Sequence, residues 1–124
     1  MAGPLDSVRV LDLSQGLSGP YATMLLADAG ARVTKVEPLG GDYARAYGSP
    51  FRNGTGASFV EINRNKRGIA LDITRAEGRA IVDRLLRDVD VVVTDQTPNG
   101  AAELHLDYPS LERVNARVIH CNIT

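Results

Sequence analysis

Short runs rich in Val, Ile and Leu alternate with segments whose apolar residues recur at helical spacing, from one end of this chain to the other. The first run is Val8-Arg-Val-Leu-Asp-Leu13, and others follow at Ala31–Glu37, Gly68–Ile73, Asp90–Thr94 and Arg117–Ile123. Each reads as a strand. A parallel strand pair needs a long crossover connection, and the helical stretches between these runs supply it. The expected fold is therefore α/β: one domain over residues 1–124, built as a Rossmann-like parallel sheet with helices on both faces.

The helices carry their own signals. Pro20 suits a first helical position, Ala22, Leu25, Leu26 and Ala29 fall at i, i+3, i+4 and i+7 as the apolar face, and Gly30 supplies the stop. Thr74-Arg-Ala-Glu77 matches a capping box. After it, Gly78, Ile81, Val82, Leu85, Leu86 and Val89 form one apolar face, with Arg79/Asp83, Asp83/Arg87 and Arg84/Asp88 paired on the other. Asp107-Tyr-Pro-Ser110 opens a short helix carrying Leu111 and Val114. Residues 39–57, rich in glycine and punctuated by aromatics, read as an excursion, and Ser58–Ile62 as a short strand or turn.

Composition narrows the function. At 124 residues and 44% hydrophobic, the chain can bury a sizeable core, which excludes a disordered tail. Lys and Arg number 14 against 15 Asp and Glu, a formal charge of −1, which argues against nucleic acid as the main partner. A single cysteine excludes a disulfide framework and fits a reducing, cytoplasmic setting. No apolar run approaches the roughly 20 residues needed to span a bilayer, and Met1-Ala-Gly-Pro-Leu-Asp does not read as a signal peptide.

Ligands of open parallel sheets sit beyond the carboxyl ends of the strands. Three loops therefore matter most: Ser14–Gly19, Glu37–Asp42 and Asp95–Gly100. The first leads into a helix N-terminus, where free N–H groups and the dipole favour an anion. Its glycines do not spell G-x-G-x-x-G, so the dinucleotide fingerprint is absent; a ligand loop and a plain turn both remain open. Without that fingerprint, Glu37 reads more simply as a solvated acid beside Lys35 than as a ribose ligand. Asn63-Arg-Asn-Lys-Arg67 places three positive charges in five residues, either as a phosphate-holding turn or as a solvated one. No nucleophile stands out. Cys121 reads as a buried structural thiol, and His105 and His120 have no metal-ligand spacing with it, so no metal is expected.

The order of these motifs resembles a known family. Val8-Arg-Val-Leu-Asp-Leu-Ser14, Gly19-Pro-Tyr-Ala-Thr-Met-Leu-Leu-Ala-Asp28, Gly30-Ala-Arg-Val-Thr-Lys-Val-Glu-Pro38, Gly40-Gly-Asp42, Asn63-Arg-Asn-Lys-Arg67 and Leu71-Asp72 follow one another. Together they are similar to the N-terminal part of a family III CoA-transferase, the CaiB/BaiF group, which includes formyl-CoA transferase, carnitine-type CoA-transferases and α-methylacyl-CoA racemase. The resemblance spans essentially the whole chain. It implies coenzyme A, as acyl-CoA, for a substrate, and a homodimer of interlocked subunits. It also implies transfer of CoA from an acyl-CoA to a carboxylic acid through an aspartate that forms a mixed anhydride and then a CoA thioester. In the family that aspartate lies downstream of the segment matched here, as does the racemase's acid–base pair, so no catalytic residue is assigned. Family chains are several-fold longer, and the chain is expected to be truncated or part of a longer one.

For CoA contacts the resemblance points to Leu17 and Ser18 in the first loop, to Leu71, Asp72, Ile73 and Thr74 beside the nucleotide, and to Asp95 and Gln96 in the third loop. Lys66 and Arg67 are candidate partners for the nucleotide phosphates, or equally for the dimer interface. The chain departs from the family at several positions. Leu17 and Ser18 stand where formyl-CoA transferase has glutamine and alanine, and Pro38 and Glu103 stand where it has arginine. The third loop, Thr94-Asp-Gln-Thr-Pro-Asn99, has Gln96 in place of the adenine-side aromatic. Loss of stacking and of a phosphate-pairing cation should each weaken binding by about 1–3 kcal/mol. Competing readings are a non-catalytic CoA-binding or interaction module, an acyl-CoA racemase fragment, and part of an NAD-binding oxidoreductase.

Overall fold

Residues 2–124 are described by a computed structural model. Along the chain run β1 (Arg9–Asp12), α1 (Ser18–Asp28), β2 (Arg32–Glu37), a 3-10 turn (Tyr43–Ala46), the hairpin strands β3 (Phe51–Arg52) and β4 (Thr55–Gly56), and α2 (Ala57–Ile62). There follow β5 (Arg67–Ala70), α3 (Ala76–Leu86), β6 (Val91–Thr94), α4 (Pro98–Glu103), α5 (Tyr108–Val114) and β7 (Ile119–Asn122). Five strands form one parallel sheet in the order β5-β2-β1-β6-β7, the architecture expected from the alternation.

Side chains alternate across a strand, so successive residues serve different layers. Leu11, Leu13, Val36 and Val92 pack with Val82 and Leu86 of α3 and Leu111 of α5. Val10, Val33 and Val93 point the other way and pack with Ala27 of α1 and Ala31. Helices thus cover both faces.

Four elements differ from expectation. Helix α1 starts at Ser18 rather than Pro20, and it buries Gly19, Pro20, Thr23, Met24 and Ala27 instead of the face through Ala22, Leu25, Leu26 and Ala29. Leu25 is 50% exposed. The helix is turned by polar anchoring: Thr23 Oγ1 donates to Asp12 Oδ2 at 2.6 Å, and a Cβ at Gly19 would collide with the Ser14 side chain. Residues 58–62 are helical, in a short α2 that buries Phe59 and Ile62 at i, i+3. Strand β5 lies one to three residues earlier than Gly68–Ile73, because its rungs with β2 run from Thr34↔Arg67 to Glu37↔Ala70. The tail of the third loop winds into α4, which Thr97 caps by accepting from the Gly100 N–H, with Pro98 in the first turn.

The capping box at Thr74 does not form. Thr74 donates instead to Asp72 Oδ1 at 2.6 Å, and Arg75 occupies the cap of α3 without a side-chain bond. Of the three expected ion pairs along α3, Arg79–Asp83 is made at 2.9 Å; the other two are absent among the described residues. Cys121 is exposed on the edge strand β7, not buried, because β7 has a partner on one side only. No described helix is long and apolar enough to cross a membrane.

Candidate functional site

Strand order reverses about β1, whose chain continues to β2 on one side while β6 flanks it on the other. At such a switch point the loops diverge and leave a crevice at the carboxyl edge. A cleft of about 420 Å³ opens there. Gln15 enters it from the loop after β1, Pro38 and Leu39 from the loop after β2, Asp72, Ile73 and Thr74 from the loop after β5, and Gln96 from the loop after β6. Leu13, Val36 and Leu104 give it apolar walls. Apolar lining with a few convergent polar groups suits an organic ligand with polar ends.

Beneath the cleft lies a buried charged network that sets the loops. Asp12, at the end of β1, accepts from the Ser14 N–H at 3.0 Å, from the Ser14 and Thr23 hydroxyls, and from Lys66 Nζ at 3.0 Å. Burial raises its pKa, but Lys35, Lys66 and the two hydroxyls outweigh burial and hold the carboxyl below its usual range. Lys35 Nζ donates to the Ser14 carbonyl at 2.7 Å and lies 2.8 Å from Asp42 Oδ2, an ion contact rather than an aligned hydrogen bond. Asp42 Oδ1 accepts from the Gly16 and Ala44 N–H groups. Thus the Lys35–Asp42 pair, through its hydrogen bonds with the Ser14 carbonyl and the Gly16 N–H, ties the loop after β1 to the loop after β2. Gly16 is obligatory in this arrangement: its φ is +77°, and a Cβ would strike the Tyr43 hydroxyl.

Glu37 is a buried, paired acid rather than a solvated one. Arg45 grips it through Nε at 2.7 Å and Nη2 at 2.8 Å, while its guanidinium stacks 3.8 Å over the Phe59 ring. Burial pushes the Glu37 carboxyl up, yet the bonds from Arg45 and the Asp42 N–H outweigh it and leave its pKa lowered. Asp95 links the first and third loops, its Oδ2 accepting from the Gln15 N–H at 2.8 Å and its Oδ1 from Gln96 Nε2 at 3.2 Å.

The predicted ligand residues are therefore partly gathered. Asp72, Ile73, Thr74 and Gln96 line the cleft, and Asp95 braces it. Leu71 is buried just beneath. Leu17 and Ser18 sit apart at the start of α1, Leu17 being 66% exposed, and do not line the cleft. The basic run divides between the exposed residues Arg64, Asn65 and Arg67 and one inward lysine. Arg64 and Asn65 hold Asp28 of α1 at 2.6 and 2.7 Å, and Lys66 turns inward, 2% exposed, onto Asp12, the Pro20 carbonyl and Asn63. Lys66 is thus spent on protein acceptors. Arg67 opens β5, at the opposite end of the strands from the cleft. Gln15 and Leu104 line the cleft without having been singled out; Gln15 follows Ser14 in the loop already marked, and Leu104 carried no local signal. Glu103 flanks a separate shallow groove with Arg75, Arg79 and His105.

The family model for "CoA-transferase family III" matches residues 5–124. The chain is 44% identical over 128 residues to a succinate–glutarate CoA-transferase of Agrobacterium fabrum, covering 98% of this chain and 32% of that protein. It is 43% identical over 122 residues to a mouse succinyl-CoA:glutarate CoA-transferase, covering 98% of this chain and 28% of that one. A solved CaiB/BaiF family protein from Brucella suis superposes with a TM-score of 0.94 at 40% identity, over 100% of this chain and 34% of its own. The chain thus spans about a third, or less, of the length of the proteins it matches.

Proposed function

The chain belongs to CoA-transferase family III, and on that premise we propose that it forms the CoA-holding scaffold of an enzyme that moves CoA between an acyl-CoA and a carboxylic acid. One observation carries this reading: four loops at the carboxyl edge of the sheet converge on one cleft, and the cleft contains Asp72, Ile73, Thr74 and Gln96. The backbone of Asp72–Thr74 and the amide of Gln96 offer donors and acceptors to the nucleotide, while Leu13, Val36 and Ile73 offer apolar surface. With Lys66 buried on Asp12, the phosphates depend on these neutral donors.

The nucleophilic carboxylate of the transfer reaction is supplied from outside these residues. Names of the relatives make succinyl-CoA and glutarate the first pair to test. A homodimer fits Leu17, Tyr21 and Leu25, which leave one outward stripe of α1 apolar and exposed. A cytoplasmic, reducing setting fits the single unpaired Cys121.

Calorimetric titration of the 124-residue chain with CoA tests the reading. Micromolar binding is expected, and Ile73→Glu, which sets a carboxylate in the path of an anionic ligand, should weaken it by about tenfold. Absence of binding would overturn the assignment of the cleft. No turnover of succinyl-CoA with glutarate is expected from this chain alone; robust turnover would overturn the placement of the nucleophile elsewhere.

A further inference from the structure

A second cleft, of about 570 Å³, opens at the other end of the sheet. Arg9, Arg32 and Arg67 are the first residues of β1, β2 and β5. Register makes Arg9 the partner of Arg32, and Arg67 the partner of Thr34. Alternation sends all three to the face that also carries Leu11, Val36 and Ile69, the face covered by α3. Arg84 of α3 joins them in the lining, with Thr34 of β2 and the apolar Val10, Ile81, Leu85 and Val89. Asp88 is the only acid in that lining.

This arrangement works against the sheet. Like charges placed directly across neighbouring strands are destabilising. The turn after α3 accounts for part of it, since Arg9 Nη1 donates to the Asp88 carbonyl at 3.4 Å. Arg32, Arg67 and Arg84 have no carboxylate partner among the described residues. Four arginines therefore line one concave space of small-molecule size in a chain of net charge −1.

We propose that this cleft binds a small polyanion carrying at least two linked phosphate groups. Neighbouring strands lie about 4.8 Å apart, so guanidiniums on adjacent strands can each take one of two adjoining phosphates. Planar forked donors suit phosphate oxygens, and a concave site gathers several of them around one ligand. The site is separate from the CoA cleft and does not depend on it.

Inorganic pyrophosphate is the probe, titrated calorimetrically into the wild-type chain. One saturable site is expected. Arg32→Ala and Arg67→Ala should each weaken it by about tenfold or more, and Arg113→Ala, on α5, should leave it unchanged. Thermal melts of each variant check folding, and Arg84→Gln on the surface of α3 gives an independent substitution that removes no strand residue. Citrate should bind at least about tenfold more weakly than pyrophosphate. The proposal is overturned by any of four results: no saturable binding, an equal loss in Arg113→Ala, citrate matching pyrophosphate, or a hexaglutamate peptide binding more tightly than pyrophosphate.

Discussion

Lys66 carries its charge into the protein, and its neighbours explain why. Asp12 is buried at the end of β1 and needs a counter-charge; Lys66 reaches it at 3.0 Å while also donating to Asn63 and the Pro20 carbonyl. Removing one partner of a buried ion pair leaves an uncompensated charge. Lys66→Met should therefore destabilise the fold by about 3–5 kcal/mol in urea denaturation, a larger effect than the loss of a phosphate contact would produce. Gly16 is a second residue whose identity is set by its surroundings. Gly16→Ala forces a side chain into a left-handed backbone against Tyr43 and should cost about 1–3 kcal/mol, read as a lowered Tm. In both cases the residue type was visible in the sequence while its role was not. A lysine in a basic run reads as exposed until the partner, some 54 positions away, is brought beside it.

At the scale of elements, α3 and α1 make a useful contrast. The apolar face of α3 could be read directly, and Val82 and Leu86 are fully buried where expected, because that helix meets the sheet through apolar contacts alone. Its Gly78 serves a further purpose: a Cβ there would collide with the Asp72 carbonyl, so the glycine lets the Asp72–Thr74 loop lie against the helix. Gly78→Ala raises helix propensity yet should displace that loop, weakening the CoA binding proposed for the cleft, while far-UV circular dichroism stays helical. Helix α1 departs from its apolar pattern because its face is chosen by the hydrogen bond from Thr23 to Asp12 rather than by apolar count. The outward Leu25 follows from that choice. The short elements α2 and α4 differ for another reason: each is one or two turns long, too brief to show as periodicity, and only α4 has a side-chain cap. Thr97→Ala should cost about 1 kcal/mol in thermal unfolding by removing the cap of α4.

For the molecule as a whole, the buried acids set the response to pH. Asp12 and Glu37 both have lowered pKa values in the folded state, so their stabilising contribution is present above the ordinary carboxylate range and is lost as pH falls through their folded-state pKa values. Tm should drop steeply below about pH 4, and Asp12→Asn or Glu37→Gln should flatten that acid limb. The parallel α/β architecture could be derived from the chain alone, because strand–helix alternation depends on local periodicity and a parallel sheet follows from it. Family membership was legible for the same reason, as an ordered set of local motifs. Which residues share a cleft was decided only by the tertiary fold. Register placed Arg67 at the far edge of the sheet, burial turned Lys66 inward and paired Glu37 with Arg45, and the switch point brought Gln15, Asp72 and Gln96 together. Those outcomes depend on charges finding partners far along the chain, and no local pattern records which partner a buried charge will find.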